Sequence, residues 1–267
     1  SVHHNPPDTN MRIQSLKRQI ELGKGYLKSL YYLVREISRL SLAFCIKNSH
    51  KFILLSPSFI PIAQKFSRVK HPTKFLAIPN PISMSVPDED VSKEKEIIYV
   101  GRIEYNQKRT DRVVDIWREL EPRYPDWKLT IVGDGDDRED LQKRIHEYGL
   151  KRVSITGFVN PIKYYKRASI LLLTSEYEGF GLVVAEAMTQ GVVPVVYNSF
   201  ESVKDLITDG YNGVLVEKPF SVSGFVKRAQ ELMENTELHV LSQNSRIASK
   251  RFSVNTIVQD WYQLWNN

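Results

Sequence analysis

Residues 170–196, ILLLTSEYEGFGLVVAEAMTQGVVPVV, decide how the chain is read. Residues 170–173 form a short apolar run ending in Thr174 and Ser175, and residues 192–196 form a second. Continuous apolar runs of this length predict strands buried on both faces of a parallel sheet. Between them lies EGFGLVVAE. Gly179 and Gly181 let the backbone approach a ligand closely, and a helix starting near Leu182 aims its unpaired N–H groups back at that loop. The pairing predicts a cradle for a phosphate or a sugar. Glu178 precedes the glycines, and Glu186 stands one turn beyond Leu182 inside the apolar run VVAEAM. An inward carboxylate on such a helix needs hydrogen-bond donors, which ligand hydroxyl groups supply; an outward one is simply solvated.

Outward from this stretch the pattern is regular. Apolar runs at 97–100, 129–132, 153–155 and 214–216 alternate with helical stretches such as 111–120 and 138–148. Strand and helix in alternation predict a doubly wound α/β domain that binds ligands at the C-terminal ends of its strands. Toward the N-terminus, KFILLS (51–56) and 75–78 read as strands, with a helix after Pro57. Ile13, Leu16, Ile20, Leu27, Leu30, Val34 and Ile37 mark a helical face, weakened at Gly23 and Gly25. This predicts a bent or broken amphipathic segment with its apolar side in the core and its basic side outward. SVPDEDVSKEKE (85–96) is polar and without period, and reads as the linker. The expected division is therefore an N-terminal domain over 1–84, the linker over 85–96, a ligand-binding domain over 97–250 and a final helical segment over 251–267. Trp261, Tyr262, Leu264 and Trp265 make that end aromatic and in need of a covering surface.

The chain has 267 residues, 42% of them hydrophobic, enough for one large core or two smaller ones. Its single cysteine, Cys45, permits no internal disulfide, which suits a reducing compartment. No run approaches the roughly 20 apolar residues that span a bilayer. The formal charge of +6 is concentrated: residues 11–40 carry Arg12, Lys17, Arg18, Lys24, Lys28, Arg35 and Arg39 against Glu21 and Glu36. A solvated helix face is one reading of that stretch. Attraction to an anionic membrane surface or an acidic acceptor is the other.

Three further motifs come directly after strands. In GRIEYNQKRTD (101–111), Gly101 frees the strand end, and Arg102 and Lys108 can converge on one anion, the Arg as a fork and the Lys as a mobile point charge. In VGDGDD (132–137), Gly133 and Gly135 lack a third glycine at dinucleotide-binding spacing, which excludes the hydride-transfer fingerprint. The Asp-x-Asp triplet at 134–136 reads as a turn that starts the next helix in preference to a metal site. ITGFV (155–159) ends another strand and offers Phe158 and Val159.

The whole phrase, Glu-x7-Glu with Gly-Phe-Gly after the first acid and Ala before the second between two buried strands, resembles the retaining nucleotide-sugar glycosyltransferases of family 4. The resemblance implies a GT-B fold: a doubly wound parallel-sheet C-terminal domain, a partial N-terminal Rossmann-like domain, and a C-terminal helix crossing back to the latter. It implies that Glu178 contacts hydroxyls of the donor sugar and Glu186 the ribose, while the amides of Gly179, Phe180, Gly181 and Leu182 face the donor. Gly101, Arg102 and Lys108 resemble the family's Gly-Arg loop with its following Lys, whose cations hold the donor diphosphate; Arg109 stands where family members often have Gly. Phe158 and Val159 fall where the family's backbone meets the nucleotide base. His4, followed by Asn5 and Pro6, takes the place of the His beside the donor sugar. IPNPIS (78–83) is close to the family's interdomain Ile-Pro-Asn-Gly phrase, with Pro81 for Gly, and further on Asp205 stands where Glu is usual and Ser199-Phe200 lie near the usual glycine pair.

By the same resemblance the chain is expected to be a metal-independent enzyme moving a sugar from a nucleotide diphosphate sugar, UDP- or GDP-linked, to a glycan or lipid-linked acceptor. The cofactor expectation is none, the donor being a substrate, and nucleic acid is not a partner. The implied setting is cell-surface polysaccharide, lipopolysaccharide or capsule biosynthesis, in the cytoplasm or on the inner face of the plasma membrane. Family members open with further strand–helix units, so the resemblance also implies a chain lacking the first part of that N-terminal domain. A catalytically inactive nucleotide-sugar-binding fragment and a GT-B nucleotide-sugar epimerase or phosphorylase are the alternatives.

Overall fold

The computed structural model describes residues 2–3, 11–87 and 92–266. The chain divides into two compact units, Ser1–Asn80 with Asp260–Asn267, and Pro81–Gln259. His4 lies outside the described residues.

In the first unit β1 (Val2–His3), β2 (Phe52–Leu54) and β3 (Phe75–Ala77) form a parallel sheet in that order. Phe52, Ile53 and Leu54 are all buried, as the unbroken apolar run requires of a middle strand. The helices are α1 (Met11–Glu21), α2 (Lys28–Asn48) and α3 (Phe59–Ser67). The predicted break falls at Gly23, whose φ of +93° is open to glycine and strained for other residues.

The packing of α2 departs from the sequence expectation. Of the apolar residues taken as the core-facing side, Ile13 is buried, but Leu30 and Ile37 are exposed together with Leu33, Leu40 and Phe44; α2 packs inward through Leu42, Ala43 and Ile46 instead. A helix with apolar residues on opposite sides shows the period without showing which side packs. At the other end of the chain Tyr262 and Trp265 are likewise exposed, with Trp265 packed on the rings of Trp261 and Tyr262 in the same helix.

The second unit is a six-stranded parallel sheet. Its strands are β4 (Glu94–Val100), β5 (Lys128–Val132), β6 (Val153–Ile155), β7 (Ala168–Leu173), β8 (Val193–Tyr197) and β9 (Val214–Val216), in the spatial order β6-β5-β4-β7-β8-β9. The helices between and after them are α4 (Thr110–Leu120), α5 (Arg138–Glu147), α6 (Ile162–Arg167), α7 (Leu182–Thr189), α8 (Val203–Leu206), α9 (Val222–Met233) and α10 (Leu238–Ser249), while α11 (Val254–Asn266) begins in this unit and passes at Asp260 into the first. All six residues of β7 are buried. The core beside them includes Tyr99, Ile116, Trp117, Leu172 and Phe225, and burying each such side chain stabilises the fold by about 1.5–3 kcal/mol.

β4 begins at Glu94, inside the stretch read as linker. Glu96 is fully buried, its carboxylate held by Arg167 at 2.6 and 2.8 Å and by Thr130 Oγ1 at 2.5 Å. A charge satisfied this completely can occupy a strand that composition alone marks as loop.

Strand order reverses at β4. The chain steps from β4 to β5 to β6 on one side, then returns to lay β7 on the other. Such a reversal, at the C-terminal ends of β4 and β7, is where open parallel sheets hold their ligands.

Candidate functional site

Loop 101–109 after β4 and loop 174–181 after β7 meet at that reversal and are tied to each other. Glu176 N donates to Gln107 O at 2.8 Å, Gln107 Nε2 to Tyr177 O at 3.1 Å, and Thr174 Oγ1 to Arg109 O at 2.9 Å. The first loop is shaped from within by Glu104, whose carboxylate accepts from the amides of Asn106 at 2.6 Å and Gln107 at 3.0 Å. It is pressed against the next loop as well: a Cβ at Gly133 would lie 1.8 Å from Gly101 O, and one at Gly135 2.2 Å from Ile103 O. The Gly-x-Gly of 133–135 thus serves close packing of two strand ends. Asp134 pairs with Arg138 at 2.7 Å, and Asp137, at the start of α5, accepts from Tyr105 N at 2.7 Å, as the turn reading expected.

The tied loops bring Lys108 and Glu178 together. Lys108 Nζ donates to both carboxylate oxygens of Glu178, at 2.7 and 2.9 Å, and Ser175 Oγ adds a third bond at 2.7 Å. Only 19% of the lysine side chain and 9% of the glutamate's is exposed, so water screens this pair weakly. Arg102 is placed differently. Its side chain is exposed, with no hydrogen bond or ion pair among the described residues, while its carbonyl accepts from the buried Tyr99 hydroxyl at 2.8 Å. The two cations expected to converge are thus held apart in their bonding, Lys108 on Glu178 and Arg102 toward solvent.

Arg109 occupies the left-handed region at φ 52° and ψ 48°, which explains a preference for glycine at such a position. A non-glycine residue is strained there by about 1–2 kcal/mol. Arg109 offsets this through Asp111, at 3.1 and 2.8 Å, and Glu176, at 3.4 Å, so its charge is taken up locally. Behind it, the buried Arg112 donates to Thr174 O at 3.2 Å and to Glu176, with its guanidinium 3.8 Å from the centre of the Phe220 ring.

Loop 174–181 ends at Gly181, whose φ of +87° starts α7 and whose missing Cβ leaves room for Leu206 and Phe200. Gly179 O accepts from Ser202 Oγ at 2.9 Å, and Phe180 is buried edge-on against Phe252. Leu182, the first residue of α7, is 38% exposed. The leading amides of a helix have no intrahelical acceptor, which leaves this end suited to an anion. Glu186, one turn on, is half-buried and accepts from the Tyr165 hydroxyl at 3.1 Å. Burial holds its carboxyl above the usual carboxylate range, against the opposing pull of the tyrosine bond. Phe158 and Val159, after β6, are 94% and 39% exposed.

Sequence reasoning missed Glu104, Tyr165, Ser175 and Arg112. Each acts on a partner fixed by the fold, and none carries a motif that names that partner. Among the described residues there is no group of three or more His, Cys, Asp or Glu placed to hold a metal ion.

Similarity to known proteins adds the family to this geometry. The sequence profile of the glycosyl transferases group 1 family matches residues 86–248, more than half of the chain. The chain belongs to this family. An uncharacterized glycosyltransferase of Haemophilus influenzae is 32% identical over 191 residues, covering 70% of this chain and 53% of the relative. The lipopolysaccharide 1,6-galactosyltransferase of Salmonella typhimurium is 32% identical over 156 residues, 55% of this chain and 43% of that protein. The glycosyltransferase chain thus spans about half the length of these relatives. Among solved structures, S. aureus TarM in complex with UDP superposes with a TM-score of 0.75 at 22% identity, over 86% of this chain and 46% of that one. The shared fold is GT-B, α/β with parallel sheets, as the residues at 170–196 implied.

Proposed function

We propose that this group 1 glycosyltransferase moves a sugar from a nucleoside diphosphate sugar to an acceptor with retention of anomeric configuration, in the assembly of a cell-surface glycan. The observation that carries the reading is the shielded Lys108–Glu178 pair at the strand-order reversal, with Glu186 held at the start of the adjoining helix. Glu178 receives hydroxyls of the donor sugar and Glu186 those of the ribose. Arg102, Lys108 and the first amides of α7, from Leu182, take the diphosphate and stabilise the charge that builds as it departs. The bond from the anomeric carbon to the diphosphate oxygen breaks while the acceptor oxygen bonds to that carbon on the same face. The acceptor's proton passes to the departing phosphate oxygen.

Phe158 and Val159 lie two strands from β4, about 10 Å at the usual inter-strand spacing, a separation that suits a base bound beyond its ribose. The Salmonella relative supports a lipopolysaccharide-like product, and the UDP in TarM makes uracil the first base to test. The basic residues of 11–40 suit an acceptor held at an anionic membrane surface.

Calorimetric titration with UDP-, GDP- and ADP-sugars tests the reading. One nucleotide class is expected to bind saturably, with affinity lowered at least about tenfold in Glu186→Ala and in Arg102→Ala, the worth of one charge-assisted contact. A folded chain that bound none of them would overturn it.

A further inference from the structure

We propose that Arg112 is a positioning residue for Glu178: from α4 it fixes the loop after β7 in the shape that presents that carboxylate to a donor sugar. The inference rests on the glycosyl-transfer reading above, which gives Glu178 its ligand, and adds the side chain that sets its place.

Loop 174–181 has no strand or helix of its own to hold it. Beyond its ties to the loop after β4, it is pinned by side chains near both ends. At the far end, Ser202 Oγ donates to the carbonyls of Gly179 and Phe180, at 2.9 and 3.3 Å. At the near end, Arg112 donates through Nη1 to Thr174 O at 3.2 Å and through Nη2 to the carboxylate of Glu176, which takes a longer bond from Arg109 at 3.4 Å. Glu178 lies between these anchors, two residues past Glu176. Of the groups that hold its carboxylate, Ser175 belongs to the same loop and moves with it, and Lys108 is a flexible chain that can follow it.

The guanidinium is itself fixed. It lies 3.8 Å from the centre of the Phe220 ring, in the segment after β9, and 5.5 Å from that of Tyr197, at the end of β8. A planar fork held in this way sets two acceptors in direction as well as distance, which a single ammonium does not. Local stability gives little reason for a charge at this place. Arg112 is buried, its Nε has no hydrogen-bond partner among the described residues, and 38% of the side chain of its counter-ion Glu176 is exposed. An apolar side chain of similar volume would pack on the same rings without desolvating a charge or leaving a donor unpaired. What it would lose is the grip on Thr174 and Glu176.

The test measures dissociation constants of UDP and a UDP-sugar, or the corresponding pair of whichever nucleotide class the titration above selects, in wild type, Arg112→Met, Arg112→Lys and Glu176→Ala. The readout is the ratio of the two constants, because partial unfolding lowers the competent fraction for both ligands alike and cancels in it. With Glu178 misplaced in Arg112→Met, the sugar-bearing ligand is expected to weaken at least about tenfold relative to the bare diphosphate, the worth of one charge-assisted contact. Arg112→Lys keeps a cation beside Glu176 and should restore part of the ratio. Glu176→Ala, at a partly exposed position, should shift the ratio in the same direction even where Arg112→Met fails to fold. A wild-type ratio in Glu176→Ala and in whichever Arg112 variant folds, whatever their melting temperatures, would overturn the positioning role and leave the glycosyl-transfer reading standing. Binding of neither ligand by folded wild type would overturn both.

Discussion

Glu186 and Tyr165 show how one residue sets the working range of another. Burial raises the carboxyl of Glu186, and the Tyr165 hydroxyl at 3.1 Å favours its ionised form. Ligand hydroxyls donate to the ionised carboxylate, so donor affinity is expected to fall as pH drops from 7 through the raised pKa of Glu186. Glu186→Gln should lose that slope, and Tyr165→Phe should move it to higher pH; calorimetric affinities across the range decide both. Arg109 gives a stability prediction at the same scale. Arg109→Gly relieves the left-handed strain while losing the bonds to Asp111 and Glu176, so the net change is expected within about 1 kcal/mol, whereas Arg109→Val keeps the strain, loses the bonds and should cost more. Thermal melting of the two variants separates these outcomes. Glu178 and Glu186 could be picked from the sequence because they sit in a phrase with fixed spacing around glycines. Tyr165 and Ser175 could not, because what they touch is decided by which strands lie side by side.

Among the elements, the apolar strands of the second unit were readable from their runs, and the start of α7 from its glycine. The start of β4 was not, since three of its first residues are charged and one of them, Glu96, is buried only because Arg167 and Thr130 meet it. The residue before that strand, Lys93, donates from Nζ to the carbonyls of Tyr165 and Lys166 at the end of α6, at 2.9 and 3.0 Å. Burial, then the charge of Arg246, lowers its pKa to about 7 from an ordinary 10.5. The folded value lies below the unfolded one, so the unfolded chain binds more protons between those limits. The cost of keeping Lys93 charged is full below about 7 and is relieved as pH rises toward 10.5. The melting temperature of Lys93→Met relative to wild type should therefore be most favourable near pH 6 and decline toward pH 10; a constant difference would contradict the shift. Gly133→Ala acts on two elements at once. Its Cβ would meet a backbone carbonyl at 1.8 Å, which no rotamer change relieves, and a loss above about 2 kcal/mol is expected in denaturant unfolding.

For the molecule as a whole, the sequence conveyed the α/β class and the parallel sheets, and the fold bears them out. Composition placed a linker at 85–96, whereas the two compact units divide between Asn80 and Pro81, inside the IPNPIS phrase. The sequence also did not show that α2 turns Leu30, Leu33, Ile37, Leu40 and Phe44 outward. With Lys17, Arg18, Lys24 and Lys28 nearby in the chain, the protein is expected to co-sediment with vesicles containing anionic lipid, less so as salt rises. Leu33→Glu with Leu40→Glu should weaken that binding, and a salt-independent or absent association would count against a membrane-held acceptor. No helix of the described residues is long and apolar enough to cross a bilayer. The strand order has a further consequence, in the time course of synthesis. β4 is central in its sheet yet the first of its strands to leave the ribosome, and one of its edges waits for a partner until residue 168 has been made. Until then a nascent chain carries an open apolar edge, and the loops that bear Lys108 and Glu178 cannot meet, so folding of this half is nonlocal and slow to begin.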